Sequence, residues 1–159
     1  MNPILPILYR LRVFAGRFPF LFYALHALRH PLGSPFAVQR DTEVVIEGFP
    51  RSANSFAVAA FQLAQGREIA IAHHLHVPAQ IMRAIAWKIP ALVIVRPPQD
   101  AVRSLVVRYP HIGVGGGLAA YATFHEALLP LQDGFTIATF DQVITDLGTV
   151  IARLNHRFG

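Results

Sequence analysis

A recurring pair runs through residues 43–139: a short unbroken apolar run, then a stretch of helical character. Glu43-Val44-Val45-Ile46-Glu47, Ile69 to Ala72, Ala91 to Val95 and Phe135 to Thr139 read as strands bounded by turn residues. Asn54 to Gln65, Pro78 to about Lys88 and Pro98 to Tyr109 read as helices, with Gly66 as a C-cap and Pro110 as a stop. Leu118 to Leu131 and Leu147 to Phe158 read as two more. The strands lack polar alternation, as expected when helices cover both faces of a sheet. Residues 41–159 are therefore expected to form a three-layer α/β/α domain around a mainly parallel sheet of four strands or slightly more. Ligands of such sheets bind beyond the carboxyl ends of the strands. Chemistry is to be sought in the residues that follow each strand.

Composition narrows the partners. Hydrophobic residues make up 53% of the 159 positions and charged residues 14%, which excludes intrinsic disorder. The chain has no cysteine, so disulfide and thiolate chemistry are excluded. The net charge is +5, and 13 of the 14 cations are arginines, the side chain that forks onto phosphate or sulfate. No dense basic run occurs, so nucleic acid is not an expected partner.

Residues 1–40 form a separate N-terminal segment, expected to be helical and to pack on the domain. Residues 3–28 are rich in Leu, Phe and Tyr but carry Arg10, Arg12 and Arg17. Their longest uncharged stretch, Phe18 to Leu28, has 11 residues, whereas a spanning helix needs about 20. Arg29-His30-Pro31 makes a poor signal-cleavage site. One or two packed helices broken near Gly16 to Pro19 are expected, with an interfacial helix bearing snorkelling arginines as the alternative. The expected location is the cytoplasm, with membrane association open through residues 3–28.

Gly48-Phe49-Pro50-Arg51-Ser52-Ala53-Asn54-Ser55 joins the first predicted strand to its helix. Its frame is that of a P-loop, Gly-x-x-x-x-Gly-Lys-Ser/Thr, with Ala53 at the second glycine and Asn54 at the lysine. Backbone N–H groups backed by a helix N-terminus would cradle an anion there. Without the lysine that neutralises the β- and γ-phosphates, ATP or GTP hydrolysis is disfavoured. The alternative is a plain turn capped by Ser52 and Asn54. A second candidate follows the third strand, where Arg96 ends the run and Ser104 stands eight residues beyond. An arginine there can fork onto a phosphate while a hydroxyl from the next helix completes the cradle. The third is the cluster His73, His74 and His76 after the second strand. A closed zinc site is a poor reading of it, with no cysteine and the carboxylates distant in sequence. The glycines at 113, 115, 116 and 117 follow no strand and read as a flexible loop over the site.

Over residues 43–158 these motifs resemble the sulfotransferase family, its bacterial members in particular. The family's 5′-phosphosulfate loop reads Pro-Lys-Ser-Gly-Thr-Thr-Trp, and here Pro50-Arg51-Ser52-Ala53-Asn54-Ser55-Phe56 stands in its place. The arginine is a variant that carbohydrate and tyrosylprotein branches share, whereas Ala53 for glycine is a departure. Arg96 and Ser104 keep the spacing of the family's 3′-phosphate motif. His76-Val77-Pro78 matches the His-x-Pro whose histidine is the base, with His74 in the place of a lysine and as the alternative base. Phe140-Asp141 stands where many members have Tyr-Glu-Asp, and Arg157-Phe158-Gly159 resembles their Phe-Leu-Gly. The resemblance implies a P-loop NTPase-like fold that transfers a sulfuryl group from 3′-phosphoadenosine 5′-phosphosulfate (PAPS), without a metal, to a hydroxyl or amine of a small-molecule or carbohydrate acceptor. It implies catalysis by Arg51 and His76 or His74. Arg51, Ser52, Ala53, Asn54, Ser55, Phe56, Arg96 and Ser104 would hold the donor. The family's further segment that closes over the 3′-phosphate or adenine is expected to be lacking from residues 41–159. A catalytically silent nucleotide-binding or membrane-peripheral module of the same fold is one alternative. A P-loop kinase using Asp100 or Asp141 for magnesium is another.

Overall fold

The computed structural model describes residues 4–31 and 33–159. Residue 3 of the apolar N-terminal stretch and residue 32 lie outside them. Two helices come first, α1 (Ile4–Ala15) and α2 (Pro19–Arg29), broken between Gly16 and Phe18 as the sequence predicts. Proline at the first position of α2 has no amide to lose there and fixes φ for the helix.

The domain then runs β1 (Val44–Gly48), α3 (Asn54–Ala64), β2 (Ile71–His73), α4 (Pro78–Ala86), β3 (Ala91–Val95), α5 (Pro98–Arg108) and α6 (Gly113–Leu128). It closes with β4 (Thr136–Thr139), α7 (Phe140–Thr145) and α8 (Leu147–Phe158). The four strands are all parallel, in the order β2-β1-β3-β4. Central β1 pairs Val44 with Ile71 on one side and Val45 with Ala91 on the other. β2 starts later than its apolar run because the Glu43 carboxylate takes the Ala70 amide at 3.2 Å ahead of the ladder.

Alternate residues of β1 and β3 feed opposite faces. Val45, Ala91 and Val93 pack with Ile81 of α4, Leu105 of α5 and Phe124 of α6. Val44, Ile46, Leu92 and Ile94 pack with Phe61 of α3, Val143 of α7 and Leu154 of α8. The two central strands are therefore covered on both sides, with helices against each face of the sheet. Phe22 and Tyr23 of α2 form a smaller cluster with Leu75 and Val77, while α1 lies against α6.

The glycine-rich segment departs from expectation. Residues 113–117 are the first turns of α6, not a loop. A Cβ on Gly117 would come within 2.8 Å of Val102 Cγ1, so the missing side chain lets α6 close against α5. Packing here outweighs glycine's poor helix propensity.

Candidate functional site

Strand order decides which loops meet. With β1 between β2 and β3, the loops after these three strands converge at the carboxyl edge of the sheet. They wall a cavity of about 670 Å³. Arg51, Ala53, Asn54, Ser55 and Phe56 line it after β1, His74 and His76 after β2, and Arg96 after β3. Phe140 adds to the wall after β4, and Tyr9 and Arg12 reach it from α1.

The loop after β1 is built to present amides. Gly48 is required at its start, because a Cβ there would stand 2.5 Å from Ile94 O of β3. Arg51 and Ala53 then take left-handed conformations, with φ of 71° and 66°. Such turns aim successive N–H groups into one concavity. The first bond of α3 runs from the Ala57 amide to Ala53 O at 2.9 Å, so the amides of Asn54, Ser55 and Phe56 have no acceptor within the helix. Asn54, at the place of the P-loop lysine, turns back to donate Nδ2 to Phe49 O at 3.1 Å. Neither Ser52 nor Ser104 lines the cavity, and Ser52 is fully buried with a hydroxyl that meets no partner.

Two guanidinium groups meet across this loop. Arg51 Nε donates to Ser104 Oγ at 3.0 Å, and Arg96 Nη1 donates to Arg51 O at 2.8 Å. Arg96 lies 4.2 Å above the Phe140 ring, and its own carbonyl accepts from the Tyr121 hydroxyl at 2.7 Å. Among the described residues neither arginine is paired with a carboxylate, and no carboxylate lines the cavity. Arg12 adds a third cation, its Nη2 donating to Leu75 O at 2.6 Å. The cavity is therefore an electropositive concavity with unpaired amides, which suits a multiply charged anion.

The histidines divide the remaining polar work. His74 Nε2 is 2.8 Å from Ser55 Oγ, and its Nδ1 bonds His73 Nδ1, so both ring nitrogens are engaged. Burial, and then the neighbouring His76 charge, hold the His74 pKa below the ordinary value. His76 Nδ1 faces Gly48 O at 2.9 Å and Glu47 Oε2 at 3.4 Å, and Nε2 is left without a partner. Burial alone would lower the His76 pKa, but the Glu47 hydrogen bond and charge outweigh it and hold it above the ordinary 6.5. His74 and His76 both adopt positive φ, 60° and 53°. Four of the five non-glycine residues with positive φ among those described thus stand in this site, where strain of this kind tends to concentrate.

Glu47 went unnoticed in the sequence. It is fully buried at the end of β1 and accepts from the Leu75 amide at 2.7 Å, the His76 amide at 3.1 Å and Gln80 Nε2 at 3.1 Å. These donors fix the loop that carries His74 and His76. A carboxylate inside an otherwise apolar, doubly covered strand was the available signal, since a buried charge must find partners. Tyr9 and Arg12 left no such signal, being remote in sequence from every motif.

No family model, curated protein or solved structure matches the chain. Among the described residues no cluster of three histidine, cysteine or carboxylate side chains is placed to hold a metal ion. Asp100 pairs with Arg103 at 3.5 Å, and neither it nor Asp141 lines the cavity.

Proposed function

We propose that this domain is a P-loop NTPase-like sulfotransferase that moves a sulfuryl group from PAPS to an acceptor hydroxyl or amine. The observation that carries the reading is the convergence of Arg51 and Arg96, from two motifs about 45 residues apart, on one cavity that His76 also lines and no carboxylate does, with Ser104 bonded to Arg51 behind the wall. The donor supplies an activated sulfuryl group whose departure leaves 3′,5′-adenosine bisphosphate. The amides of residues 54–56 and Arg51 hold its 5′-phosphate end, and Arg96 with Ser104 holds the 3′-phosphate. Arg51 stabilises the negative charge that gathers on the leaving oxygen as the sulfur–oxygen bond breaks. His76 Nε2 takes the acceptor proton as the acceptor atom bonds to sulfur, while Glu47 and Gly48 O keep the proton of Nδ1 in place. His74, with both nitrogens engaged, positions Ser55 rather than acting as the base.

A P-loop kinase would need a lysine where Asn54 bonds Phe49 O and a magnesium carboxylate in the cavity. Isothermal titration with 3′,5′-adenosine bisphosphate, AMP and ATP·Mg²⁺ separates the readings. The bisphosphate should bind tightest, and Arg96→Ala should remove most of its advantage over AMP, a charge-assisted contact of roughly 1.5–3 kcal/mol. Equal binding of AMP and bisphosphate by the wild type would refute the proposal, and preference for ATP·Mg²⁺ would favour the kinase.

A further inference from the structure

Eleven of the 21 large apolar residues exposed among those described lie within residues 4–28. On α1, Ile4, Ile7, Leu8, Leu11 and Phe14 recur at three- and four-residue spacing and form one outward stripe, while Tyr9 and Val13 face the domain. On α2, Phe20 is 89% exposed and Leu28 81%. The Phe14 and Phe18 rings, with centroids 5.4 Å apart, link the stripe to the turn that leads into α2. A surface in water rarely leaves so much apolar area uncovered. Residues 4–29 have no acidic side chain and expose Arg10, Arg17 and Arg29. Among the described residues no helix is long and apolar enough to cross a membrane. An apolar stripe flanked by arginines alone complements an anionic lipid surface, on which the helices lie flat.

A second observation is a set of hollows between that surface and the site. Tyr9 lines the main cavity and two further hollows. One, of about 20 Å³, lies between His76, Pro50 and Phe124. The next, of about 180 Å³, runs between α1 and α6, walled by Val13, Phe14, Ala119 and Thr123. The smaller hollow lies beside His76 and the larger one reaches Phe14 on the exposed stripe, with Tyr9 common to both.

Resting on the sulfuryl-transfer reading, we infer that the acceptor is lipid-borne: α1 and α2 lie on an anionic bilayer, and a lipid's hydroxyl headgroup reaches His76 while its chain occupies the α1–α6 groove. The hydroxyl proton passes to His76 Nε2, the lipid oxygen bonds to sulfur, and the bond from sulfur to the donor's phosphate oxygen breaks with its electron pair on the leaving bisphosphate.

Flotation tests the surface. The wild type should rise with phosphatidylcholine vesicles containing phosphatidylglycerol and bind pure phosphatidylcholine roughly a hundredfold more weakly, each of three arginines adding about fivefold at an anionic surface. The double variant Leu11→Ser with Phe14→Ser should lose flotation while keeping its circular dichroism. A wild type that floats with neither vesicle overturns the inference, as does a stable dimer that buries these helices and stays in solution. Binding of a dansyl-labelled monoacylglycerol tests the groove. It should be saturable in the wild type and at least tenfold weaker in Ala119→Trp, which fills the groove from an exposed position. Equal binding by both proteins overturns the groove assignment. Neither readout uses sulfuryl transfer. A protein that floats and takes the labelled lipid but ignores the bisphosphate therefore refutes the function proposed above and leaves the lipid site standing.

Discussion

Replacing Glu47 by glutamine should change both the stability of the fold and the sign of a pH dependence. The carboxylate is fully buried and accepts from two loop amides and from Gln80, with His76 Nδ1 3.4 Å away. Glutamine keeps one acceptor oxygen, which can still serve the Leu75 amide, but turns an NH₂ toward the His76 amide and ring. While His76 remains charged, removing its buried partner costs about 3–5 kcal/mol. Against a typical total of roughly 5–15 kcal/mol, the variant folds with a sharply lower urea midpoint. In the wild type His76 titrates above 6.5, so its contribution is fully present below that value and is lost as pH rises through the folded pKa. Without the Glu47 charge, burial dominates and the His76 pKa falls below 6.5, so its contribution is lost as pH falls. The stability gap between the two proteins should therefore narrow as pH rises from about 6 to 8, each pKa unit moved being worth about 1.4 kcal/mol. Urea unfolding at several pH values measures the gap, and NMR titration of the His76 ring reads the pKa directly. An unchanged His76 titration in the variant would refute the argument.

Other substitutions separate strain from packing. Ala53→Gly should stabilise the domain by about 1 kcal/mol, since φ of 66° costs a non-glycine residue roughly 1–2 kcal/mol and glycine's greater unfolded freedom returns only part of that. A lower thermal midpoint would show that the Ala53 methyl packs usefully against its neighbours. Gly115→Ala, with open space around its Cβ, should stabilise α6 by about 0.5–1 kcal/mol. Gly117→Ala, driven against Val102, should destabilise by about 1–3 kcal/mol. Thermal unfolding of the pair tests whether the glycines serve helix contact or mobility.

Much of this architecture was legible in the sequence because the strands are short runs separated by helices, and the central two are apolar on both faces, as a parallel, doubly covered sheet requires. Strand ends shifted by a residue or two where side chains intervene, as Glu43 does before β2. The six residues of α7 are too few to show a period, and only the Thr139–Gln142 capping box marks their start. The glycines at 113–117 were misread because composition reports conformational freedom, whereas their role depends on how closely α5 approaches. Arg51, Arg96 and the histidines were found through local spacing. Tyr9, Arg12 and Glu47 were not, since their membership depends on which distant segments the sheet brings together.

The Glu47 network extends beyond the histidine it orients. Gln80, also fully buried, donates Nε2 to Glu47 and to Phe36 O at 2.9 Å, and its Oε1 accepts from the Val38 amide at 3.1 Å and the Tyr23 hydroxyl at 3.2 Å. A continuous hydrogen-bonded path thus connects α2 to the ring that faces the cavity. Burial pushes the Tyr23 pKa up to about 12, so its hydroxyl keeps its proton throughout the neutral range and the path stays intact. The path ties β1, the 74–76 loop, α4 and α2 to one another. A partner that grips α2 would damp the fluctuations of His76 without touching it.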